Sequence, residues 1–251
     1  MRTRIQFAIA LSVPALFCTG FAAAQARTPV IVELFTSEGC SSCPPADRLL
    51  ARLETEQPVP QADILVMEEH VDYWDQQGWR DPFSAPFYTQ RQQDYAFAFA
   101  SEEVYTPEMV VDGRPGFVGS DGRSALQAIR DAAASPHALV TLQRKSGSEI
   151  AVSAGRFPPG TKTVDIVLAI TEDSLASNVL RGENAGHRLS HAAVARSIAS
   201  LARFDARKSP EYKADLPLRL APDWNRSNLR IVVFVQDRNS RRILGGAGLH
   251  L

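Results

Sequence analysis

The stretch FTSEGCSSCPPAD, residues 35–47, connects an apolar run to the start of a helical pattern, and the topology of the first half of the chain follows from it. Residues 29–35 read PVIVELF, a β-branched run typical of a strand buried on both faces of a sheet. A second such run, DILVMEE, occupies residues 63–69. Between the two runs, apolar residues recur at helical spacing: Ala46, Leu49, Leu50 and Leu53. The order strand, helix, strand predicts parallel strands joined by a right-handed crossover.

The rest of the chain divides near residue 135. Before it we expect a helix over about residues 85–99, a hairpin at Asp112 and Gly113, and a final helix over about residues 124–134. After it the sequence changes to short strands separated by turns, a spacing typical of a β-sandwich. We therefore predict an α/β domain at residues 27–135 and a mostly-β, sandwich-like domain at residues 136–251.

The composition is that of an ordinary globular protein. Of the 251 residues, 45% are hydrophobic and 22% are charged, with 27 Lys and Arg against 28 Asp and Glu. Such a balanced charge gives no reason to expect nucleic acid or an anionic membrane surface as a partner.

The N-terminus is typical of a secretory signal peptide. Arg2 and Arg4 precede an apolar stretch that ends in the small residues Ala24-Gln25-Ala26, which predicts cleavage after Ala26. The alternative is a membrane anchor, because the apolar run is close to spanning length. Pro14 interrupts the run and favours the signal peptide. Residues 1–26 would then be removed, leaving a periplasmic or secreted protein with no stable membrane insertion.

The mature chain would keep two cysteines, Cys40 and Cys43, and an oxidising compartment would let them pair. A C-x-x-C motif between a buried strand and a helix is typical of a redox-active dithiol. The unpaired amides of the helix N-terminus favour a thiolate, so Cys40 is the expected nucleophile. Cys43, one turn into the helix and expected to be less exposed than Cys40, is the expected resolving residue. Pro44 and Pro45 shift the expected helix start to Pro44, which would weaken this effect on Cys40.

Two other interpretations of the cysteine pair stay open. The first is a structural disulfide, although closing so short a loop removes little conformational entropy from the unfolded chain. A metal site needs a further ligand, and His70 is available because it ends the strand parallel to the first. Cys40, Cys43 and His70 together would suit copper or zinc. The hypothesis we favour for the pair requires no cofactor.

Two further groups of polar residues are candidates for a functional role. In RGENAGHRLSH, residues 181–191, Glu183, His187 and His191 are four apart, as on the metal-binding face of a helix. The glycines in this stretch argue for a polar loop ordered by side-chain hydrogen bonds instead. In HVDYWDQQGW, residues 70–79, we expect the tryptophans to pack and Asp72 to lie near the cysteines, where it could exchange a proton.

Residues 29–135 resemble the thioredoxin superfamily in PVIVELF, GCSSC, the following helix and strand, and YTPEMVVDG. The motifs VELFTSEGCSSCPPAD, HVDYWDQQGWRDPFS, YTPEMVVDG, RGENAGHRLSH and VVFVQD are also similar to the domain of unknown function 1223 family of secreted bacterial proteins, over nearly the whole mature chain. The resemblance implies a thioredoxin-like α/β domain with a β-rich C-terminal extension. It also implies a cis peptide before Pro107, with Thr106 and Pro107 binding the backbone of a substrate.

The sequence therefore predicts an exported thiol-disulfide oxidoreductase that acts through Cys40 and Cys43. Its partners would be protein thiols or disulfides and a redox partner protein, with Thr106 and Pro107 binding substrate and His70 and Asp72 as auxiliary residues. The alternatives are a periplasmic copper-binding or copper-delivering module that uses Cys40, Cys43 and His70, and a non-catalytic binding protein with a structural disulfide.

Overall fold

The structure, a computed structural model, describes residues 26–145 and 148–251, so the predicted signal peptide lies outside the described residues except for Ala26. The helices and strands are β1 (Thr28–Thr36), α1 (Pro44–Glu56), β2 (Ala62–His70), α2 (Pro86–Ala98), β3 (Glu108–Val111), β4 (Phe117–Val118), α3 (Gly122–Ala133), β5 (Leu139–Arg144), β6 (Glu149–Gly155), β7 (Thr163–Glu172), β8 (Leu175–Asn178), β9 (Arg188–His191), β10 (Val194–Asp205), β11 (Glu211–Pro217), β12 (Leu229–Asp237) and β13 (Ile243–His250). No helix in these residues is long and apolar enough to span a membrane.

The predicted strand, helix, strand unit is confirmed. β1 and β2 run parallel, in a register that pairs Thr28 with Ala62 and Thr36 with His70. β3 pairs antiparallel with β1, and β4 with β3. The carboxyl ends of β1 and β2 therefore lie side by side. β1 ends shortly before the cysteine motif, and β2 ends at His70.

Helix α1 begins at Pro44, as the two prolines predict. Cys43 is its N-cap residue and supplies no side-chain cap, while proline fits the first turn because the amide it lacks would have no partner there. The predicted apolar face is buried against the sheet. Helix α3 packs on the same face, and its N-terminus is capped by the carboxylate of Asp121, which accepts hydrogen bonds from two backbone amides.

Four strands of the second half, β7, β10, β12 and β13, continue the first sheet instead of forming a separate sandwich. The eight-stranded sheet has the order β13-β12-β7-β10-β2-β1-β3-β4. β10 joins β2 through a parallel bridge between Val194 and Glu68, and the Glu68 amide donates to the Ala193 carbonyl at 3.0 Å. β10 thus covers what would otherwise be an unpaired edge of β2. The boundary at residue 135 stays a prediction, but strands from both sides of it share one sheet.

The expected sandwich is present in part. A three-stranded sheet, β11-β6-β5, packs on β7, β12 and β13 around an apolar cluster that includes Ile150, Val164, Ile231 and Val233. The second layer of this partial sandwich is the end of the large sheet that β7, β12 and β13 form. The result is a mixed α/β fold with one large, mostly antiparallel sheet and three helices among the described residues.

A buried ionic network fixes helix α2 on the opposite face of the large sheet from α1. Arg91 pairs with Glu33 of β1 and lies 3.5 Å from the Glu69 carboxylate of β2. Tyr95 donates to Glu33 at 2.5 Å, and Gln236 of β12 donates to the Tyr95 hydroxyl at 2.9 Å. The network connects α2 to strands from both halves of the chain.

Candidate functional site

Cys40 and Cys43 form a disulfide at the start of α1. Both side chains are fully buried, at 0% exposure, whereas Ser41 and Ser42 between them are exposed. The Cys40 sulfur lies 3.4 Å from the Ser42 hydroxyl. The sequence led us to expect Cys40 to be the more accessible sulfur, and this is wrong, because other segments close over it as well.

One of these segments is the connection between β8 and β9, residues 179–187, which we name the cover segment. The side-chain amide of Asn184 donates to the carbonyl of Glu38 at 2.9 Å and to the carbonyl of Cys40 at 3.0 Å. The Glu183 carboxylate accepts from the Ser41 amide at 3.0 Å. Asn184 is buried and Glu183 exposed, so the cover segment contacts the cysteine loop both inside and at its rim.

Behind the disulfide lies a cluster of buried acids and histidines. His70 at the end of β2 and His191 at the end of β9 stack edge to face, with ring centroids 4.8 Å apart. His191 Nδ1 lies 2.7 Å from Glu68 Oε1, and its Nε2 lies 3.0 Å from Glu38 Oε1. His70 Nδ1 lies 2.7 Å from Asp81 Oδ2.

Side chains from two further segments, the connection after β2 and strand β8, hold this cluster in place. Trp79 and Ser177 donate to the two Glu38 carboxylate oxygens, at 2.7 and 2.5 Å. Asp81 also accepts from the Glu38 amide at 2.8 Å. Because Glu38 is two residues before Cys40, the cluster and the cysteine loop share one backbone segment.

The charges of the cluster shift the pKa values of His70, His191 and Glu68. Burial lowers the pKa of His191, but the carboxylates of Glu68 and Glu38 outweigh it and raise the pKa to about 9. The pKa of His70 is also raised well above its usual range, because Asp81 and Glu68 outweigh burial. Burial raises the pKa of Glu68, but the two histidines overcome this effect and lower it to about 2.

Asp47 lies on α1 beside the same groups. Burial and then the charge of Glu68 raise the pKa of Asp47 to about 7, against the hydrogen bond from Thr36 and the charges of the histidines. Thr36 donates to the Asp47 carboxylate at 2.7 Å. A carboxyl group one turn after Cys43 therefore exchanges its proton near neutral pH.

Thr106, which precedes Pro107, is connected to the cysteine loop through Trp74. The peptide bond between them is cis, as the resemblance implies. Trp74 Nε1 donates to the Thr106 hydroxyl at 2.7 Å. Trp74 also packs against Gly39, the residue before Cys40, since a Cβ placed on Gly39 would be 3.2 Å from the Trp74 Cβ. Trp74 therefore links Gly39 to Thr106.

The other residues singled out in the sequence take different positions. The Asp72 carboxylate accepts from Thr89 of α2 at 2.5 Å, and none of its hydrogen bonds reaches the cysteines. Glu183, His187 and His191 form no common face: Glu183 contacts the cysteine loop, His187 is exposed, and His191 is buried beside Glu68. The prediction of a polar loop is confirmed for residues 181–187.

Sequence reasoning missed Glu38, Glu68, Asp81 and the role of His191. A signal for one of them was available, since Glu68 lies near the end of DILVMEE, a run that predicts a buried strand. A charged side chain at such a position requires a buried partner. Nothing local identifies that partner, because His191 lies 123 residues further along the chain.

Comparisons with known proteins give a family and a fold. The family described as Protein of unknown function (DUF1223) matches residues 31–236. The X-ray structure of protein AGR_C_4864 from Agrobacterium tumefaciens is 26% identical, with a TM-score of 0.71, and the match covers 90% of this chain and 96% of that one. HBP35 of Porphyromonas gingivalis is 13% identical with a TM-score of 0.66, over 90% and 76% of the two chains, a likeness in fold alone. No curated protein matches the chain.

Proposed function

Since the chain belongs to the DUF1223 family, whose description names no activity, we propose from its own site that it is an exported thiol-disulfide oxidoreductase with a thioredoxin-like core. Cys40 and Cys43 are the redox pair. Thr106 and Pro107 bind the substrate backbone.

The observation that carries the proposal is the position of the disulfide. It lies where β1 ends and α1 begins, within a strand, helix, strand unit, and Thr106 is connected to its loop through Trp74. The order β2-β1-β3-β4 with β3 antiparallel and α1 and α3 on one face supports the thioredoxin-like description of the core. A helix N-terminus stabilises the thiolate that forms when the disulfide is reduced.

In the reducing direction, the Cys40 thiolate forms a bond to one sulfur of a substrate disulfide, and the other substrate sulfur leaves as a thiolate. The Cys43 thiolate then attacks the Cys40 sulfur, which releases the second substrate thiolate and restores the Cys40–Cys43 disulfide. Two electrons pass from the dithiol to the substrate. The Asp47 carboxyl, with its pKa near 7, is the buried group closest along α1 for proton exchange with Cys43. The same steps in reverse oxidise a substrate dithiol.

Complete burial of both sulfurs favours a second candidate, a non-catalytic binding protein with a structural disulfide. In the oxidoreductase, the cover segment must move before a substrate reaches Cys40. The copper module has less support, because His70 faces Asp81 and Glu68 while the two cysteines are bonded to each other. Export agrees with a disulfide, which persists in oxidising compartments.

The experiment is a measurement of the Cys40–Cys43 reduction potential by equilibration in glutathione or dithiothreitol buffers, with trapping of free thiols. A value between about −120 and −270 mV lies in the span of exchange catalysts. The same protein should then reduce insulin disulfides, Cys40→Ser should abolish that reduction, and Thr55→Ala, at an exposed position in the last turn of α1, should retain it. A potential well below about −300 mV would identify a structural bond and favour the binding protein.

A further inference from the structure

We propose that Glu68, His70 and His191 form a binding site for one divalent transition-metal ion, with Zn²⁺ as the ion that suits the donors best. The site is separate from the cysteine pair and does not depend on the redox proposal. Its role is to fasten β9, and with it the cover segment, to β2.

Two of the three donor separations, those to Glu68, are close to the distances that a metal requires. One donor atom from each lies within 4.8 Å of the others. Glu68 Oε1 is 2.7 Å from His191 Nδ1 and 3.5 Å from His70 Nε2. A tetrahedral zinc about 2.1 Å from each donor holds those donors about 3.4 Å apart, so the two distances bracket the required value.

His70 has a ring nitrogen that no other described residue pairs with. Its side chain is 0% exposed, and Nε2 makes no hydrogen bond in the described part of the chain. Its 3.5 Å separation from Glu68 is too long for a good hydrogen bond. A buried polar atom without a partner destabilises the fold, and a metal between His70 Nε2 and Glu68 would satisfy it.

Each histidine has a carboxylate on its other nitrogen. Asp81 holds His70 through Nδ1, and Glu38 holds His191 through Nε2. Metal-binding histidines typically donate their second ring N–H to a carboxylate, which fixes the tautomer and directs the free nitrogen at the metal. Here the nitrogens directed at Glu68 are His70 Nε2 and His191 Nδ1, as that arrangement requires.

The donor set selects among metals. Two imidazole nitrogens and one carboxylate oxygen suit zinc or another late first-row divalent ion better than calcium or magnesium, which prefer oxygen alone. Three protein donors leave one position of a tetrahedral zinc for a further oxygen ligand. Because all three donors are buried, the ion would enter before the hairpin of β8 and β9 closes over it.

The test uses the oxidised chain after its predicted leader, so that neither cysteine offers a thiolate. The protein is unfolded in chelator, refolded with or without ZnCl₂, dialysed, and analysed for metal per chain and for the midpoint of thermal unfolding. We expect one zinc per chain and a higher midpoint with zinc. Asp81→Asn should weaken zinc affinity by about 10–100-fold, and Glu68→Gln and His191→Gln by more. His187→Gln, an exposed histidine of the same hairpin, is the matched control and should bind normally.

Co²⁺ replaces zinc in a second measurement, which needs no variant and so stands even if Glu68→Gln does not fold. The wild type should show the d–d absorption of a tetrahedral ion with nitrogen and oxygen ligands and no sulfur-to-metal charge transfer. Absence of bound zinc and of this spectrum would overturn the proposal, and so would zinc binding that all the variants retain. If zinc binds, it should also slow the reduction of the Cys40–Cys43 disulfide by dithiothreitol severalfold. An unchanged rate would refute the fastening role.

Discussion

The side-chain amide of Asn184 donates to the backbone carbonyl of Cys40 at 3.0 Å, across 144 residues of chain. Together with its bond to Glu38, this contact joins the cover segment to the cysteine loop. Each hydrogen bond contributes about 1 kcal/mol net, so losing both should raise the population of the open form.

Losing about 2 kcal/mol in total, Asn184→Ala should let dithiothreitol reduce the disulfide roughly 30-fold faster than in the wild type. The rate is read by trapping free thiols with a maleimide at fixed pH. Leu180→Ala, which changes a 74% exposed residue of the same segment, is the control and should leave the rate unchanged. Equal rates in wild type and Asn184→Ala would mean that the cover segment does not limit access to Cys40.

Arg91→Met should lower the free energy of unfolding by about 3–5 kcal/mol, because it leaves the buried carboxylate of Glu33 without its cationic partner. Urea unfolding followed by circular dichroism gives the value. Arg130→Met changes an exposed arginine of α3 and should stay within about 0.5 kcal/mol of the wild type. A loss below about 1 kcal/mol for Arg91→Met would contradict a supporting role for the buried network.

His137 should make stability depend on pH above neutrality. Its Nε2 lies 3.0 Å from Asp112 Oδ2, and its Nδ1 lies 2.7 Å from the Ser135 carbonyl, so both nitrogens face acceptors and the imidazolium fits. Burial lowers the pKa of His137, but these partners outweigh it and raise the pKa above 6.5. Burial also raises the pKa of Asp112. His137 and Asp112 therefore both have higher pKa values in the folded protein than in the unfolded chain.

A raised histidine pKa stabilises the fold fully below pH 6.5, and this contribution is lost as the pH rises through the folded-state value. The difference in unfolding free energy between wild type and His137→Gln should therefore be largest at pH 6 and shrink toward pH 9. Urea unfolding at several pH values measures it, with His187→Gln as the exposed control. A difference that is constant over this range would refute the assignment.

Gly113→Ala should destabilise the protein more than Gly160→Ala, although both glycines have positive φ, at 59° and 84°. A Cβ on Gly113 would collide with the carbonyl of Arg241, whereas a Cβ on Gly160 meets nothing within 4 Å. Both variants carry the left-handed penalty of about 1–2 kcal/mol, and Gly113→Ala adds overpacking of about 1–3 kcal/mol. Denaturant midpoints compare the two, and equal losses would show that the contact between residues 113 and 241 yields easily.

Much of the local structure could be predicted because the signals are local. The apolar runs predicted β1 and β2, the helical spacing predicted α1, and the prolines placed its first residue at Pro44. The position of the cysteines at a helix start followed directly. These features depend on side-chain periodicity and backbone preferences within a few residues, and such preferences are visible in any sequence window.

Local patterns along the chain are enough to establish the strand, helix, strand unit, the place of the cysteines in it, and the β-rich character of the second half. Only in the folded chain does β10 pair with β2, Asn184 reach Cys40, and His191 meet His70 and Glu68. The pairing of distant strands depends on which edge is free and which buried charges need partners once the chain has folded. Neither condition exists within a short stretch of sequence, and both are met by residues more than 100 positions apart.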